Sequence, residues 1–307
     1  MIEFKNLELS DKAWIDACTA AEDSRSADFS FANMYMWDES FRQLVAKIDG
    51  RVAAKPKYRS HPFFAFPVGS GDLHAAVEAL RDYAEKKGFP FCLNGVTETH
   101  RAQLEALYPG QLQFTPDRDH FDYLYEAEKL ASLSGKKLHS KRNFVNRFQA
   151  EHDNWRFTPL TAETCADCLP LLEKWEDEHS ADAQQKKSVQ AERAAIARAF
   201  AHFDALGLEG GALYIGEEMV AFTVGEKISS DTYDVHFEKA RADIPGTYPM
   251  INREFVRYIL QLHPEIRYIN REDDMGLEGL RKAKLSYAPV SMVEKYSVCF
   301  CGCGGAE

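Results

Sequence analysis

Apolar and polar positions alternate with period two in several short runs and recur every three to four residues in others, so strands and amphipathic helices share the chain. In the first half, Leu44, Ala46 and Ile48 alternate up to Asp49-Gly50, a strong turn dipeptide, and Val52 and Ala54 resume beyond it. That pattern predicts a hairpin over residues 41–55. An aromatic segment over 30–40, with Phe31, Tyr35 and Trp37, predicts a helix, and 63–68 a strand. Asp72 is placed to cap a helix running to Lys87, with Leu73, Val77, Leu80 and Ala84 on its apolar face and Gly88 as its stop. A strand at 89–96, a helix at 98–108 and a strand at 120–127 complete this half.

The second half follows a similar rhythm. Helices are expected at 162–179 and 189–206, then a hairpin over 210–229 turning at Gly216-Glu217-Glu218, and a strand at 231–239. A helix at 251–262, a strand at 266–270, a helix at 277–287 and a last strand at 291–300 follow. Helices and hairpins in this order predict a mixed α+β sandwich, a central sheet covered on both faces, built twice. The expected division is 1–130, 131–298 with a basic entry segment at 134–149, and a Cys/Gly-rich tail at 299–307.

Composition narrows the class. With 307 residues, 45% hydrophobic and 28% charged, the chain can bury two cores, and disorder is not its main theme. A formal net charge of −11 argues against a general nucleic-acid coat. The N-terminus shows no basic-then-apolar signal and no apolar run approaches the ~18 residues of a membrane span, which predicts a cytoplasmic protein. Seven cysteines, an odd number, suit a reducing compartment and ordinary thiols. Cys165-Ala166-Asp167-Cys168 has no second pair to complete a four-ligand zinc site, and Cys299, Cys301 and Cys303 sit at the tail, so no metal ligands are assigned.

Candidate chemistry gathers in three places. Residues 268–276 read as a short strand ending in Asn270, Arg271 and three adjacent acids, Glu272, Asp273 and Asp274. In the helix that follows, Leu277, Leu280, Lys284 and Tyr287 are expected on one face, placing an ammonium within an apolar stripe. Between the halves, residues 129–150 carry six Lys or Arg and no acid, and a helix there would align Lys137, Lys141, Phe144 and Phe148. Lys137 and Lys141, with Arg142 nearby, are candidates to hold an anionic group. Gly246, Thr247 and Tyr248 open the 251–262 helix, where free backbone N–H groups favour a phosphate, although a single glycine makes no P-loop.

The order of elements in the second half resembles the GCN5-related N-acetyltransferase (GNAT) fold. Ser134 to Asn143, Asn270 to Asp274, Gly279 to Pro289 and Ser30 to Trp37 are together similar to a bacterial family named for the C-terminal domain of phosphatidylglycerol lysyltransferase. The resemblance implies two tandem acyl-CoA N-acyltransferase-like domains, related to Fem-type enzymes that take an aminoacyl group from aminoacyl-tRNA. It implies an acyl or aminoacyl transferase with no tightly bound cofactor, acyl-CoA or aminoacyl-tRNA as donor, and a small-molecule or peptide acceptor. The membrane-spanning portion of the lipid-modifying relatives is absent from this sequence, which leaves the acceptor open.

Transfer requires a proton acceptor and a stabilised oxyanion. Glu272, Asp273, Asp274 or His236 are candidates for the first, and Lys284 for the second or for a donor phosphate. Asn270, at the strand end, is expected to help hold the donor. A noncatalytic protein that binds a small anionic ligand is the alternative.

Overall fold

Asp49 and Gly50 turn as their composition requires, with φ of 45° and 77°, and close a hairpin of β2 (Gln43–Ile48) and β3 (Arg51–Pro56) in which Ile48 faces Arg51. The computed structural model describes residues 2–57, 63–178 and 183–301; His179 and the tail from residue 302, with Cys303, lie outside the described residues. The chain divides into two units, residues 1–122 with 293–307, and residues 123–292.

In the first unit β1 (Lys5–Asn6), β2, β3 and β5 (Val68–Gly69) form one four-stranded sheet. β4 (Phe64–Ala65), β6 (Cys92–Thr97), β15 (Lys295–Phe300) and β7 (Leu112–Pro116) form another. The single strand expected at 63–68 is thus divided between two sheets. Its helices are α1 (Lys12–Glu22), α2 (Phe31–Met36), α3 (Asp38–Phe41), α4 (Leu73–Lys87) and α5 (Glu98–Leu107). Asp72 caps α4 by accepting from the Ala75 N–H at 3.1 Å, and Gly88 ends it at φ 75°. The periodicity did not single out α1 or β7.

Two sequence expectations need correction here. The last strand was placed with the second half, but β15 pairs antiparallel with β6 and β7 of the first unit. Lys295, at its start, is buried between Asp28 and Asp122, 2.8 Å from each. Burial disfavours its ammonium, but the two carboxylates outweigh that and hold it charged. Cysteine usage is the second correction. Cys92 on β6 and Cys299 on β15 face each other with Cα atoms 4.6 Å apart and form a disulfide. That Cα distance is the closer of the two antiparallel pair spacings. Partners 207 residues apart leave no trace in local spacing. Cys165 and Cys168 are buried thiols that burial pushes upward in pKa.

The second unit is built on a seven-stranded sheet ordered β14 (Ser291–Val293), β8 (Asp122–Glu126), β13 (Tyr268–Asn270), β12 (Thr232–Ala240), β11 (Glu218–Lys227), β10 (Glu209–Ile215), β9 (Trp155–Leu160). The strand β9 was not expected. Flanking helices are α6 (Ala127–Ser132), α7 (His139–Glu151), α8 (Leu169–Glu178), α9 (Ala183–Ala201), α10 (Phe203–Leu206), α11 (Thr247–Leu262) and α12 (Glu278–Leu285). The parallel pair β12 and β13 is joined through α11, whose Phe255, Val256 and Ile259 pack with Tyr123, Tyr125, Tyr233, Val235 and Ile269. Met250 and Ile251, one turn earlier, pack with Val145, Phe148, Leu213 and Ala240. Among the described residues no helix is long and apolar enough to cross a membrane.

Candidate functional site

An irregularity on β12 sets out the chemistry of the second unit. Val224 pairs with Phe237 and Gly225 with Val235, so His236 is an extra residue opposite β11. A bulge of this kind re-aims side chains. Before it, Tyr233 and Val235 pack against α11; after it, Ala240 does, and Glu238 accepts a hydrogen bond from Asn252 of α11 at 3.1 Å. The inward set therefore changes from odd to even numbers within one strand. Gly225 permits this, because a Cβ there would overlap the Asp234 carbonyl.

On the α11 side lies a cationic cluster. Arg271 follows β13, and its Nη2 donates to Glu238 Oε1 at 2.8 Å. Its guanidinium carbon lies 4.8 Å from the ring centre of Tyr287 and 5.8 Å from that of Tyr125. The Lys141 Nζ sits 4.2 Å from the Tyr287 ring centre. Burial opposes the charge on Arg271, but Glu238 leads the groups that keep it fully ionised. For Lys141 the balance tips the other way. Burial lowers its pKa below the ordinary lysine value, Arg271 adds to the shift, and only Glu238 opposes it. The Tyr287 hydroxyl interacts with the Arg271 guanidinium as well, but Arg271 Nη1 is enclosed and meets no partner in good hydrogen-bond geometry among the described residues, and the same holds for Asn252 Oδ1. A buried donor on a permanent cation is costly to leave unmet.

On the opposite face, by strand alternation, Asp234 and His236 point away from α11. His236 Nδ1 lies 2.9 Å from Glu272 Oε1 and 3.3 Å from Asp234 Oδ2, and its Nε2 lies 3.1 Å from Glu226 Oε1. Burial works against the imidazolium, yet Asp234, Glu226 and Glu272 together hold the ring well above its ordinary pKa.

The three adjacent acids have different environments. Asp274 is fully buried, receives Arg281 Nε and Nη2 at 3.0 and 2.7 Å and the Tyr123 hydroxyl at 2.5 Å, and accepts from the Gly276 N–H. Asp273 shapes the turn by accepting from the Met275 N–H at 3.1 Å. Glu272 is the one that pairs with His236, Oε1 to Nδ1, among the contacts of the described residues. Its backbone is left-handed, φ 55°, and its N–H donates to Asn270 Oδ1 at 2.6 Å.

Several expected placements change. The Lys284 Nζ donates to the carbonyls of Arg271 and Glu272, pinning the loop between them. The expected apolar stripe is interrupted because Leu277, the residue before α12, is exposed. Lys137 is exposed and precedes α7, whose inward residues are Val145 and Phe148, while Phe144 is largely exposed. Arg142 donates to the Leu133 carbonyl at 2.6 Å. Gly246 makes no open cradle. A Cβ there would lie 2.5 Å from the Phe144 carbonyl, so the glycine serves close approach of α7 to α11. Thr247 is buried with its hydroxyl on the Ile244 carbonyl, and the Tyr248 hydroxyl accepts from Trp175 Nε1 at 3.0 Å. Arg271 was read only as part of the polar strand end, with no role of its own, and Glu238, Asn252, Tyr125 and the carboxylates of Asp234 and Glu226 were not singled out as chemical groups by sequence. The glycine at 225 inside a strand pattern is the one local sign of the bulge that arranges them.

Residues 20–299 match the family model described as phosphatidylglycerol lysyltransferase, C-terminal. The chain belongs to that family. An uncharacterised protein of Mycoplasmoides gallisepticum is 26% identical over 177 residues, 58% of this chain and 55% of that protein, so the match spans about half the length of this curated relative. A conserved protein of unknown function from Bacteroides thetaiotaomicron is 41% identical, with a TM-score of 0.91 over 98% of this chain and 100% of its own. The C-terminal domain of a putative lysylphosphatidylglycerol synthetase from Agrobacterium fabrum matches with TM-score 0.62 at 14% identity, over 95% of this chain and 92% of that one. A tandem GNAT protein from the clavulanic acid biosynthesis pathway matches with TM-score 0.50 at 11% identity, over all of both chains. This family member has a mixed α+β, tandem GNAT-like fold, as the element order implied.

Proposed function

We propose that the protein is an acyl or aminoacyl transferase whose reacting groups meet at the Arg271, Lys141 and Glu238 cluster. The observation that carries this reading is the enclosed Arg271 Nη1 beside an ammonium whose proton burial has loosened. Membership of a family named for a lysyltransferase supports it. In the proposed reaction an acceptor amine or hydroxyl attacks the carbonyl carbon of an ester or thioester. The new C–N or C–O bond forms, oxygen charge develops, and the tRNA or thiol leaves. Arg271 Nη1 stabilises that oxygen as a fixed donor needing little reorganisation. Lys141, in its neutral form, takes the acceptor's proton. Glu238 holds the guanidinium in place through Nη2.

The test is donor turnover. Purified protein is incubated with aminoacyl-tRNA or acyl-CoA, with and without small amine and peptide acceptors, and acyl loss is followed. Acceptor-dependent loss that falls about 10²-fold or more in Arg271→Lys supports the reading. Donor binding without turnover across these acceptors would instead favour a noncatalytic anion-binding protein.

A further inference from the structure

The cluster on the other face of the sheet has the composition of a metal site. A ring nitrogen of His236, an Asp234 carboxylate oxygen and a Glu272 carboxylate oxygen all lie within 4.8 Å of one another. Nδ1 is 2.9 Å from Glu272 and 3.3 Å from Asp234. Two ligands each about 2.1 Å from a shared ion, at octahedral or tetrahedral angles, lie about 3.0–3.4 Å apart. Both measured separations fall close to that range. The imidazole's other nitrogen is independently engaged: Nε2 sits 3.1 Å from Glu226 Oε1. A carboxylate on the distal nitrogen is the partner that metal-binding histidines commonly use to fix ring orientation and raise basicity. Nδ1 then faces two carboxylates, and a divalent cation between them would join all three through favourable bonds.

We propose that Asp234, His236 and Glu272 bind one divalent cation, with Glu226 orienting the imidazole. One nitrogen and two carboxylates suit zinc or manganese, whereas calcium and magnesium favour all-oxygen shells. The ion links β12 to the loop after β13. Since Glu272 directly follows Arg271, the site braces the loop that carries the guanidinium on the opposite face. It is a positioning site and lies outside the transfer chemistry proposed above.

The full chain, treated with a chelator and dialysed, is titrated with zinc chloride and manganese chloride in a calorimeter. One equivalent should bind, and saturating metal should raise Tm by about 5 °C. Glu272→Gln and His236→Gln should each weaken binding at least tenfold, and Glu226→Gln by about 10–100-fold. Cys301→Ser should leave it unchanged, which separates this site from the exposed thiol. Glu272 is partly exposed, so its variant remains informative should His236→Gln fail to fold. Crystals soaked in zinc should give an anomalous peak among the three ligands. Absence of stoichiometric binding, equal affinity in Glu272→Gln, or an anomalous peak only at cysteines would overturn the proposal. None of these readouts depends on transferase activity, so either idea can fail alone.

Discussion

Arg271 and Glu272 are adjacent in the chain, yet Arg271 pairs with Glu238 on the α11 side of the sheet and Glu272 with His236 on the other. The left-handed backbone at Glu272 makes the turn between them, and Lys284 holds both carbonyls. A loop that serves two faces should give separable phenotypes.

We predict that Lys141→Met lowers turnover by about 10²-fold at pH 7 without lowering Tm. The sign follows from the shift. Folding depresses the lysine pKa, so its charge opposes folding fully below the folded pKa, and that penalty fades as pH rises from the folded toward the unfolded value. Removing it should therefore leave Tm equal or slightly higher. Calorimetry and kinetics on one preparation decide the matter, and a falling Tm with unchanged kcat would assign Lys141 to packing.

The neighbouring acids should separate by stability. Asp274→Ala leaves Arg281 and the Tyr123 hydroxyl without their buried partner and should cost about 2 kcal/mol or more, even discounted for the partial exposure of Arg281. Asp273→Ala removes the turn contact to the Met275 N–H from a less buried site and should cost less than Asp274→Ala. Urea unfolding measures both, and equal losses would contradict the distinction drawn from their environments.

Features dictated by neighbours in sequence were legible, and those dictated by pairing across strands were not. Asp49-Gly50 and the Asp72 and Gly88 caps act within a few residues, so their chemistry is local. Ranking Glu272, Asp273 and Asp274 required Tyr123, 151 residues from Asp274, and His236, 36 residues from Glu272. The parity change on β12 follows from its register with β11, which no strand pattern carries alone. The return of β15 to the first unit has the same origin, since its partners are set by long-range pairing.

That return also predicts how the disulfide behaves. Cys92 and Cys299 join β6 to the last strand across 207 residues, so reduction frees a long loop in the unfolded chain. Cys92→Ser with Cys299→Ser should lower stability by about 2–5 kcal/mol in urea. Peptide mapping of the unreduced protein should recover the two segments linked, while Cys301 is alkylated as a free thiol. Recovery of both segments unlinked under oxidising conditions would refute the pairing.

In the first unit, Glu22 gives a pH-dependent contribution whose sign can be worked out. Its carboxylate lies 3.2 Å from Arg51 Nη1, accepts from the Gly69 N–H at 2.9 Å and lies 3.4 Å from His100 Nε2. His100 Nδ1 accepts from the Thr97 N–H, so Nε2 carries the proton that faces Glu22. Burial alone would raise the carboxyl pKa, but His100, the Gly69 amide and Arg51 together lower it below the ordinary 4.5. A carboxylate depressed on folding stabilises the native state above its unfolded pKa, and that contribution disappears as pH falls through the folded value. Glu22→Gln should therefore destabilise by about 1–3 kcal/mol at pH 7, the range for a buried hydrogen-bonded group losing its charge. The gap between wild type and variant should begin to close below about pH 4.5, where unfolded glutamate starts to bind its proton, and should go on closing as pH falls through the lower folded value. Urea titrations of both proteins across this range provide the measurement. A gap that stays constant from pH 7 to pH 2 would mean that the charge of Glu22 contributes nothing and that its side chain acts only by shape.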